Sequence, residues 1–193
     1  MARPREFDEQ EVSLKAMHVF WDKGYEATSL KDLLEATGLS KSSLYDTFGS
    51  KRGLFLVSFE LFRQERMRSL KAHLESKANA FDSIESFFRL VLAHAHHEEP
   101  IGCMSCNEAI ELGPHDEEVQ KLIAKDFQGI EDALVAAIER GKVDGSIPLS
   151  KDSRMHGRAL TVTYQGLQVM ARSRSVKERL NDALTVVLEA LKK

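Results

Sequence analysis

Both cysteines of this chain and four of its seven histidines lie within residues 93–116. A thiol at a helix N-terminus reacts more readily at neutral pH, because the helix dipole stabilises its thiolate. Cys103 follows Gly102 where a helix is expected to begin, and Cys106 lies one helical turn further along. Cys106 could therefore capture an oxidised Cys103 as a disulfide. The spacing is compatible with a site that senses oxidants or electrophiles.

Two other interpretations of the same segment remain open. The two thiols could bind zinc or copper together with a pair of nearby histidines, although the chain has no second pair of cysteines. Alternatively, the cysteines are small buried apolar residues, and the histidines lie on a solvated helix face beside Glu98 and Glu99. The histidines concerned are His94, His96, His97 and His115.

Residues 28–51, TSLKDLLEATGLSKSSLYDTFGSK, contain two short amphipathic stretches separated by Gly38. Two short helices joined by such a turn form a helix-turn-helix, whose second helix enters the DNA major groove by its N-terminal residues. The second stretch begins with Lys41, Ser42 and Ser43, whose small hydroxyls and single lysine allow close approach to base edges and phosphates. Three helix N-termini also offer backbone N–H groups to phosphates. They are expected near Ser29, Ser40 and Ser50.

Composition restricts how this chain could bind DNA. Its net charge is −3, and residues 1–52 contain eight basic and nine acidic residues. DNA binding would therefore depend on a few placed groups and not on a general basic surface. No apolar run approaches the length of a membrane span, and the N-terminus does not resemble a secretory signal, so we expect a cytoplasmic protein without a membrane partner.

The elements that must position these residues are all helical. Apolar side chains recur at spacings of three and four along the whole chain, and alternating strand patterns are absent. The sequence predicts an all-α fold with helices that begin near residues 8, 29, 40, 50, 81, 101, 116, 151 and 176. Three short helices form a helix-turn-helix domain of residues 1–52. A long fourth helix joins it to a helical domain of residues 53–193 for ligand binding and dimerisation.

Residues 24–55, GYEATSLKDLLEATGLSKSSLYDTFGSKRGLF, closely resemble the DNA-binding signature of the TetR family of bacterial transcriptional regulators, without a gap. The resemblance implies a homodimer that places its two N-terminal helix-turn-helix domains in successive major grooves of a near-palindromic operator. It also implies phosphate contacts by Thr28, Ser43, Tyr45, Thr47 and Lys51. The positions that face base edges are Lys41, Ser42 and Asp46. Ser29 and Ser40 complete the predicted DNA-binding set as helix caps.

Two of these positions depart from the commonest family pattern. A glycine is frequent where this chain has Ser42, and an aromatic residue or histidine is common near Asp46 or Thr47. Asp46 could accept a hydrogen bond from cytosine N4 or repel phosphate and so restrict the operator. It could equally be a solvated helix position.

The resemblance also implies that the C-terminal helices form the dimer interface. In the family, the last two helices of each subunit form a four-helix dimer bundle, and this chain carries matching apolar stripes there. The stripes could instead form the core of one subunit. The predicted dimer interface comprises Leu160, Leu167, Leu180, Leu184, Val187 and Leu191.

The middle helices are expected to enclose a pocket for an unidentified small-molecule or electrophile effector. Aromatic residues and methionines at helical spacing are also typical of an ordinary core. The segment GCMSCNEAIEL resembles one branch of the family in which Gly-Cys opens the sixth helix, and in some members that cysteine senses oxidants or electrophiles. The predicted pocket comprises Phe62, Phe88, Leu92, Cys103, Met104, Asn107, Phe127 and Tyr164.

The sequence thus predicts a TetR-like repressor that is released from its operator by an effector or by cysteine modification. It contains no nucleophile elbow, phosphate-binding glycine loop or zinc-protease motif, so we expect neither an enzyme nor a cofactor. Two alternatives remain: a helical protein-interaction module without DNA binding, and a metal-responsive regulator that uses Cys103, Cys106 and nearby histidines.

Overall fold

A computed structural model describes residues 7–95 and 101–192, apart from the side chain at position 95. These residues form nine α-helices and no strand, which confirms the predicted all-α fold. The helices are α1 (Glu9–Lys23), α2 (Leu30–Thr37), α3 (Lys41–Phe48), α4 (Lys51–Leu74), α5 (Ala80–Ala95), α6 (Met104–Glu111), α7 (Glu117–Asp144), α8 (Ser153–Arg172) and α9 (Lys177–Lys192).

The chain forms two compact units, one that ends at Glu65 and one that begins at Arg66. The division falls within α4, so this helix contributes residues to both units. The expected domain boundary after residue 52 lies earlier, near the start of α4. None of the helices in the described parts of the chain is long and apolar enough to cross a membrane.

Side-chain caps and glycines define the short helices of the first unit. The Ser29 hydroxyl accepts a hydrogen bond from the backbone N–H of Asp32 (3.1 Å), and the Asp32 carboxylate accepts one from the N–H of Ser29 (2.8 Å). This capping box starts α2 and stabilises it by about 1 kcal/mol. Gly38 ends α2 in the left-handed conformation (φ 73°), which costs glycine far less than other residues.

Aromatic side chains form the core of the first unit. The ring of Phe55 packs edge-on against Phe20 (5.3 Å between centroids) and stacks on Phe59 (5.6 Å). Leu33 of α2 and Leu44 of α3 are completely buried. The two short helices are therefore held by the apolar side that each presents to the core, since helices of two turns are not stable alone.

In the second unit, α5, α7, α8 and α9 pack around an apolar core. Gly157 allows α8 to approach α7 closely, because a Cβ at this position would lie 2.4 Å from Cγ2 of Val135. Arg66 of α4 and Asp126 of α7 form a buried ion pair within this unit. Its fully buried side chains include Ile84, Phe88, Ile130, Leu134, Ile138 and Leu160.

Candidate functional site

Three serine hydroxyls form a connected group at the start of α3. The Ser40 Oγ accepts a hydrogen bond from the backbone N–H of Ser43 (3.1 Å), which caps the helix. The same Oγ lies 3.0 Å from the Oγ of Ser42 and 2.9 Å from that of Ser43. Ser40 and Ser42 are exposed, and Ser43 is half-buried. These hydroxyls can exchange their mutual hydrogen bonds for bonds to a phosphate or a base edge.

Lys41 and Tyr45 lie one turn apart on the exposed side of α3. The Lys41 Nζ is 6.0 Å from the centroid of the Tyr45 ring, and 44% of Tyr45 is exposed. Asp46 is exposed beside them, whereas Thr47 is half-buried. The N-terminal half of α3 therefore presents small hydroxyls, one cation and one phenol to solvent, with no bulky apolar side chain between them.

A second cation lies at the start of α4. The Nζ of Lys51 is 4.4 Å from the centroid of the Tyr25 ring, close enough for a cation–π contact. The Ser50 Oγ accepts a hydrogen bond from the N–H of Gly53 (3.0 Å) and so caps this helix. The helix dipole and the lysine both favour an anion at this end of α4.

Gly53 sets the distance between the end of α3 and the start of α4. A Cβ at position 53 would lie 1.9 Å from the carbonyl oxygen of Phe48. Only glycine allows these two backbones to approach so closely without a shift. The sequence prediction did not include this residue, although it lies in the residues 24–55 that carried the family resemblance.

Two of the predicted DNA contacts have local structural roles. Only 1% of Thr28 is exposed, and its hydroxyl donates a hydrogen bond to the carbonyl of Gly24 (2.6 Å). We therefore correct the prediction for Thr28, because its side chain offers a phosphate almost no accessible surface. Ser29 is exposed, but its hydroxyl belongs to the capping box with Asp32. A hydrogen bond from Lys23 holds the pKa of Asp32 well below its usual range.

The two cysteines lie in the interior of the second unit. Cys103 is the N-cap residue of α6 and is 2% exposed, and Cys106 is 3% exposed. A hydrogen bond from Cys106 and the positive charge of Arg66 lower the pKa of the Cys103 thiol. The same hydrogen bond, together with burial, raises the pKa of Cys106. The arrangement favours the thiolate at Cys103 and the protonated thiol at Cys106.

The residues predicted to line a pocket differ in unit and in burial. Phe62 belongs to the first unit, where its ring packs edge-on against Trp21 (4.9 Å). Asn107 is half-buried, and its Nδ2 donates to the carbonyl of Ile101 (3.0 Å), which holds the start of α6. Phe127 is half-buried. The buried members in the second unit are Phe88, Leu92, Cys103, Met104 and Tyr164.

No three or more His, Cys, Asp or Glu residues within residues 7–95 and 101–192 are arranged to hold a metal ion. The Nδ1 of His94 is 2.9 Å from the carbonyl oxygen of Leu90 on its own helix, and His115 is exposed. The predicted involvement of His96 and His97 lies outside the described residues. The guanidinium of Arg66 beside the thiols opposes cation binding there, because like charges repel.

The leucine stripes of α8 and α9 face the core of their own subunit. Five of the six residues predicted to form the dimer interface are at most 3% exposed, and Val187 is half-buried. We therefore correct this prediction, because side chains without accessible surface cannot supply the main contact area with a partner. The five buried residues are Leu160, Leu167, Leu180, Leu184 and Leu191.

A different apolar stripe lies on the outer faces of α8 and α9. Its members are spaced by three and four residues along each helix and consist of valines, small residues and one methionine, as in a helix-packing seam. Val162 and Val186 are 67% and 70% exposed. On α8 the stripe contains Met155, Ala159, Val162, Gly166 and Val169. On α9 it contains Ala183, Val186 and Ala190.

Comparison with known proteins gives consistent matches. The sequence model described as "Bacterial regulatory proteins, tetR family" matches residues 15–57. The chain is 33% identical over 196 residues to YezE of Bacillus subtilis strain 168, an uncharacterized HTH-type transcriptional regulator, and the match covers 99% of this chain and 100% of that protein. It is 29% identical to ComR of Escherichia coli K12, an HTH-type transcriptional repressor, with 92% of this chain and 86% of ComR covered.

A solved structure matches the fold over almost its whole length. It is a cysteine mutant of CifR, a TetR family transcriptional regulator, in complex with 26 bp double-strand operator DNA. The TM-score is 0.85 and the sequence identity 29%, with 98% of this chain and 100% of that chain covered.

Proposed function

Because the chain belongs to the TetR family of bacterial regulatory proteins, we propose that it represses transcription by binding a near-palindromic operator as a homodimer. The observation that carries this proposal is the exposed N-terminal half of α3, with Lys41, Ser42 and Tyr45 directed away from the core. The match to CifR, which was solved with operator DNA, and the match to the repressor ComR support it.

Within this proposal, the contacts divide into two kinds. Lys41 and Ser42 read base edges from the first turn of α3, since small side chains let the helix enter the groove. Lys51 and the N-terminus of α4 bind a DNA phosphate. The hydroxyls of Ser43 and Tyr45 contact the sugar-phosphate backbone of the DNA. Phosphate contacts position the protein, whereas base contacts make it specific.

Dimerisation is required by the small number of contacts in one subunit. The chain has a net charge of −3, so it gains little general attraction to DNA. Two recognition helices in half-sites about 34–36 Å apart would supply the missing affinity. We propose that the outer stripe of α8 and α9 forms the dimer interface, because exposed apolar side chains at helical spacing pack best against another helix pair.

DNA binding is tested with a fragment of the sequence upstream of the gene and a scrambled fragment of equal length. Wild-type protein is expected to protect a near-palindromic site on the upstream fragment alone. Lys51→Ala should weaken binding to every DNA, whereas Lys41→Ala should reduce the preference for the upstream fragment. Lys31→Ala, which removes an exposed lysine of α2, is the control and should bind as wild type.

Two results would refute the proposal. One is equal binding of the upstream and scrambled fragments by the wild-type dimer. The other is an equal loss of affinity in Lys31→Ala and Lys51→Ala, since this would mean that α4 has no special role. A protein-interaction module would bind neither the upstream fragment nor the scrambled one.

We further propose that an effector or oxidation of Cys103 releases the protein from DNA, since the GCMSCNEAIEL segment resembles a branch of the family in which some members sense oxidants or electrophiles at this cysteine. The cysteine pair supports this second route, because Cys103 has a stabilised thiolate and Cys106 a retained proton. Peroxide would oxidise the Cys103 thiolate to a sulfenic acid by two electrons. The Cys106 thiol would then condense with it to a disulfide and release water.

The thiol route is tested by operator binding before and after treatment with hydrogen peroxide. Treated wild-type protein is expected to lose affinity and to regain it with dithiothreitol, whereas Cys103→Ser should be insensitive. Cys106→Ser should be oxidised without forming the disulfide, which mass spectrometry distinguishes. Unchanged operator binding by fully oxidised wild-type protein would eliminate this route and leave a noncovalent effector.

A further inference from the structure

A carboxyl group is buried in the second unit without a hydrogen-bond partner. Glu108 lies on α6 and has no exposed surface, and neither of its carboxyl oxygens makes a hydrogen bond within the described part of the chain. Ser105, one turn earlier on the same helix, is also completely buried, and its Oγ has no partner there either. Residues three apart share a helix face, so three unsatisfied polar atoms lie on one side of α6.

The charged residues nearby do not offset the cost of burying this carboxyl group. Burial raises the pKa of the Glu108 carboxyl to about 8, and the neighbouring charge of Glu111 acts in the same direction. Arg172 of α8 opposes the shift but does not overcome it. Near neutral pH the carboxyl is therefore mostly protonated, which is unusual for a glutamate. A buried polar group without a partner is costly, and a cation with hydrogen-bond donors would remove that cost.

The surroundings of Glu108 on its own helix side are apolar. Met104 lies one turn before it and Leu112 one turn after it, and both side chains are buried. A molecule that places a donor group at Glu108 would therefore meet apolar surface around that group. Binding sites for small molecules commonly combine a few convergent polar groups with such a lining.

We propose that Glu108 and Ser105 bind the ammonium group of a primary amine with an apolar body, and that this amine is the effector. An ammonium has three N–H donors, which match the two carboxylate oxygens and the serine hydroxyl oxygen. Its positive charge also compensates the charge of the buried carboxylate. On binding, the Glu108 carboxyl loses its proton to solvent and becomes the carboxylate that pairs with the ammonium.

Amine binding is measured by calorimetry on the full chain without DNA, with phenethylamine and hexylamine as probes. The matched neutral controls are 2-phenylethanol and hexanol. The amines are expected to bind and the alcohols not to bind. Glu108→Gln, which keeps the shape but removes the charge, should weaken amine binding on the order of tenfold to a hundredfold. Glu117→Gln, an exposed glutamate at the start of α7, should bind like wild type.

A second readout does not depend on any variant. Because the carboxyl is mostly protonated before binding, each amine bound near pH 7 should release close to one proton. Repeating the titration in buffers of different ionisation enthalpy measures this number. A purely structural role of Glu108, or a buried water as its partner, gives no such release on amine addition.

This inference deepens the proposed function by naming the effector class, and the tests separate the two. Failure of both amines to bind, or equal affinity in wild type and Glu108→Gln, overturns the amine site while operator binding stands. Amine binding that leaves operator affinity unchanged overturns the effector role. The expected result is amine binding with proton release, followed by loss of operator affinity in wild type but not in Glu108→Gln.

Discussion

Replacement of Gly53 by alanine tests how the recognition helix is held. A Cβ at position 53 would lie 1.9 Å from the carbonyl oxygen and 3.1 Å from the carbonyl carbon of Phe48. These are backbone atoms at the end of α3, so no side-chain rotation can relieve the contact. Either α3 or the start of α4 must move.

Two effects of opposite sign decide the result. Alanine in a helix is about 1 kcal/mol more favourable than glycine. Forcing an extra carbon into a packed site costs about 1–3 kcal/mol, and the upper part of that range applies because backbone must shift. We therefore expect Gly53→Ala to destabilise the first unit by about 1–2 kcal/mol. Operator binding should fall further, since α3 is displaced from its position relative to the α4 N-terminus.

The assay measures urea unfolding, monitored by tryptophan fluorescence. The chain contains one tryptophan, and Trp21 lies in the first unit with its ring 4.9 Å from that of Phe62. Its signal therefore reports on the unit that contains Gly53. Lys31→Ala is the control, because this exposed side chain of α2 lies in the same unit and should leave the urea midpoint unchanged. A transition of Gly53→Ala at or above the wild-type urea midpoint would refute the reasoning.

Three further variants test the second unit. Val162→Asp, which places a charge in the outer stripe of α8, should convert the dimer to monomer in analytical ultracentrifugation, whereas Val143→Asp at the exposed end of α7 should stay dimeric. Asp126→Asn breaks the buried ion pair with Arg66 and should cost about 3–5 kcal/mol in denaturant unfolding; wild-type stability would contradict this. Because the pKa of Glu108 is raised from 4.5 to about 8, the folded state binds more protons in that window. The unfolding free energy should therefore fall as pH rises from about 4.5 to about 8, and Glu108→Gln should remove most of this slope.

The helices could be predicted because residues close together in the sequence determine where each helix begins and ends. The Ser29–Asp32 capping box and Gly38 define α2 from residues that are neighbours in the chain, and Ser40 does the same for the start of α3. The apolar spacing of α3 predicts that Leu44 and Phe48 face the core and that the N-terminal half is exposed. Leu44 is fully buried, and Phe48 is half-buried. Local interactions of this kind do not depend on which other helices pack nearby.

The direction in which each face of α8 points could not be predicted in the same way. This helix carries two apolar stripes at similar spacing, one with Leu160 and Leu167 and one with Val162 and Val169. Hydrophobic periodicity shows that both faces are apolar, but not which one packs inside the subunit. The larger leucines fill the core, and the valines and small residues remain outside. Packing between distant segments makes this choice.

The partner of a single polar side chain depends on contacts that its neighbours in the sequence do not determine. The Thr28 hydroxyl can bond either a phosphate or a backbone carbonyl, and the fold determines that it bonds Gly24. Glu108 was not selected from the sequence, because glutamate is rarely buried without a partner. The fold nevertheless turns this face of α6 inward, so that Glu108 is buried with Met104 and Ser105.

The most direct test of the account is the salt dependence of operator binding by wild-type protein and Lys51→Ala. The slope of log K against log salt concentration reports the number of phosphates neutralised by basic groups. We predict a steep negative slope for wild type, and a slope that is smaller by about two in Lys51→Ala, one for each subunit of the dimer. Identical slopes for the two proteins would mean that Lys51 touches no phosphate, and would contradict the proposed contact between the start of α4 and DNA.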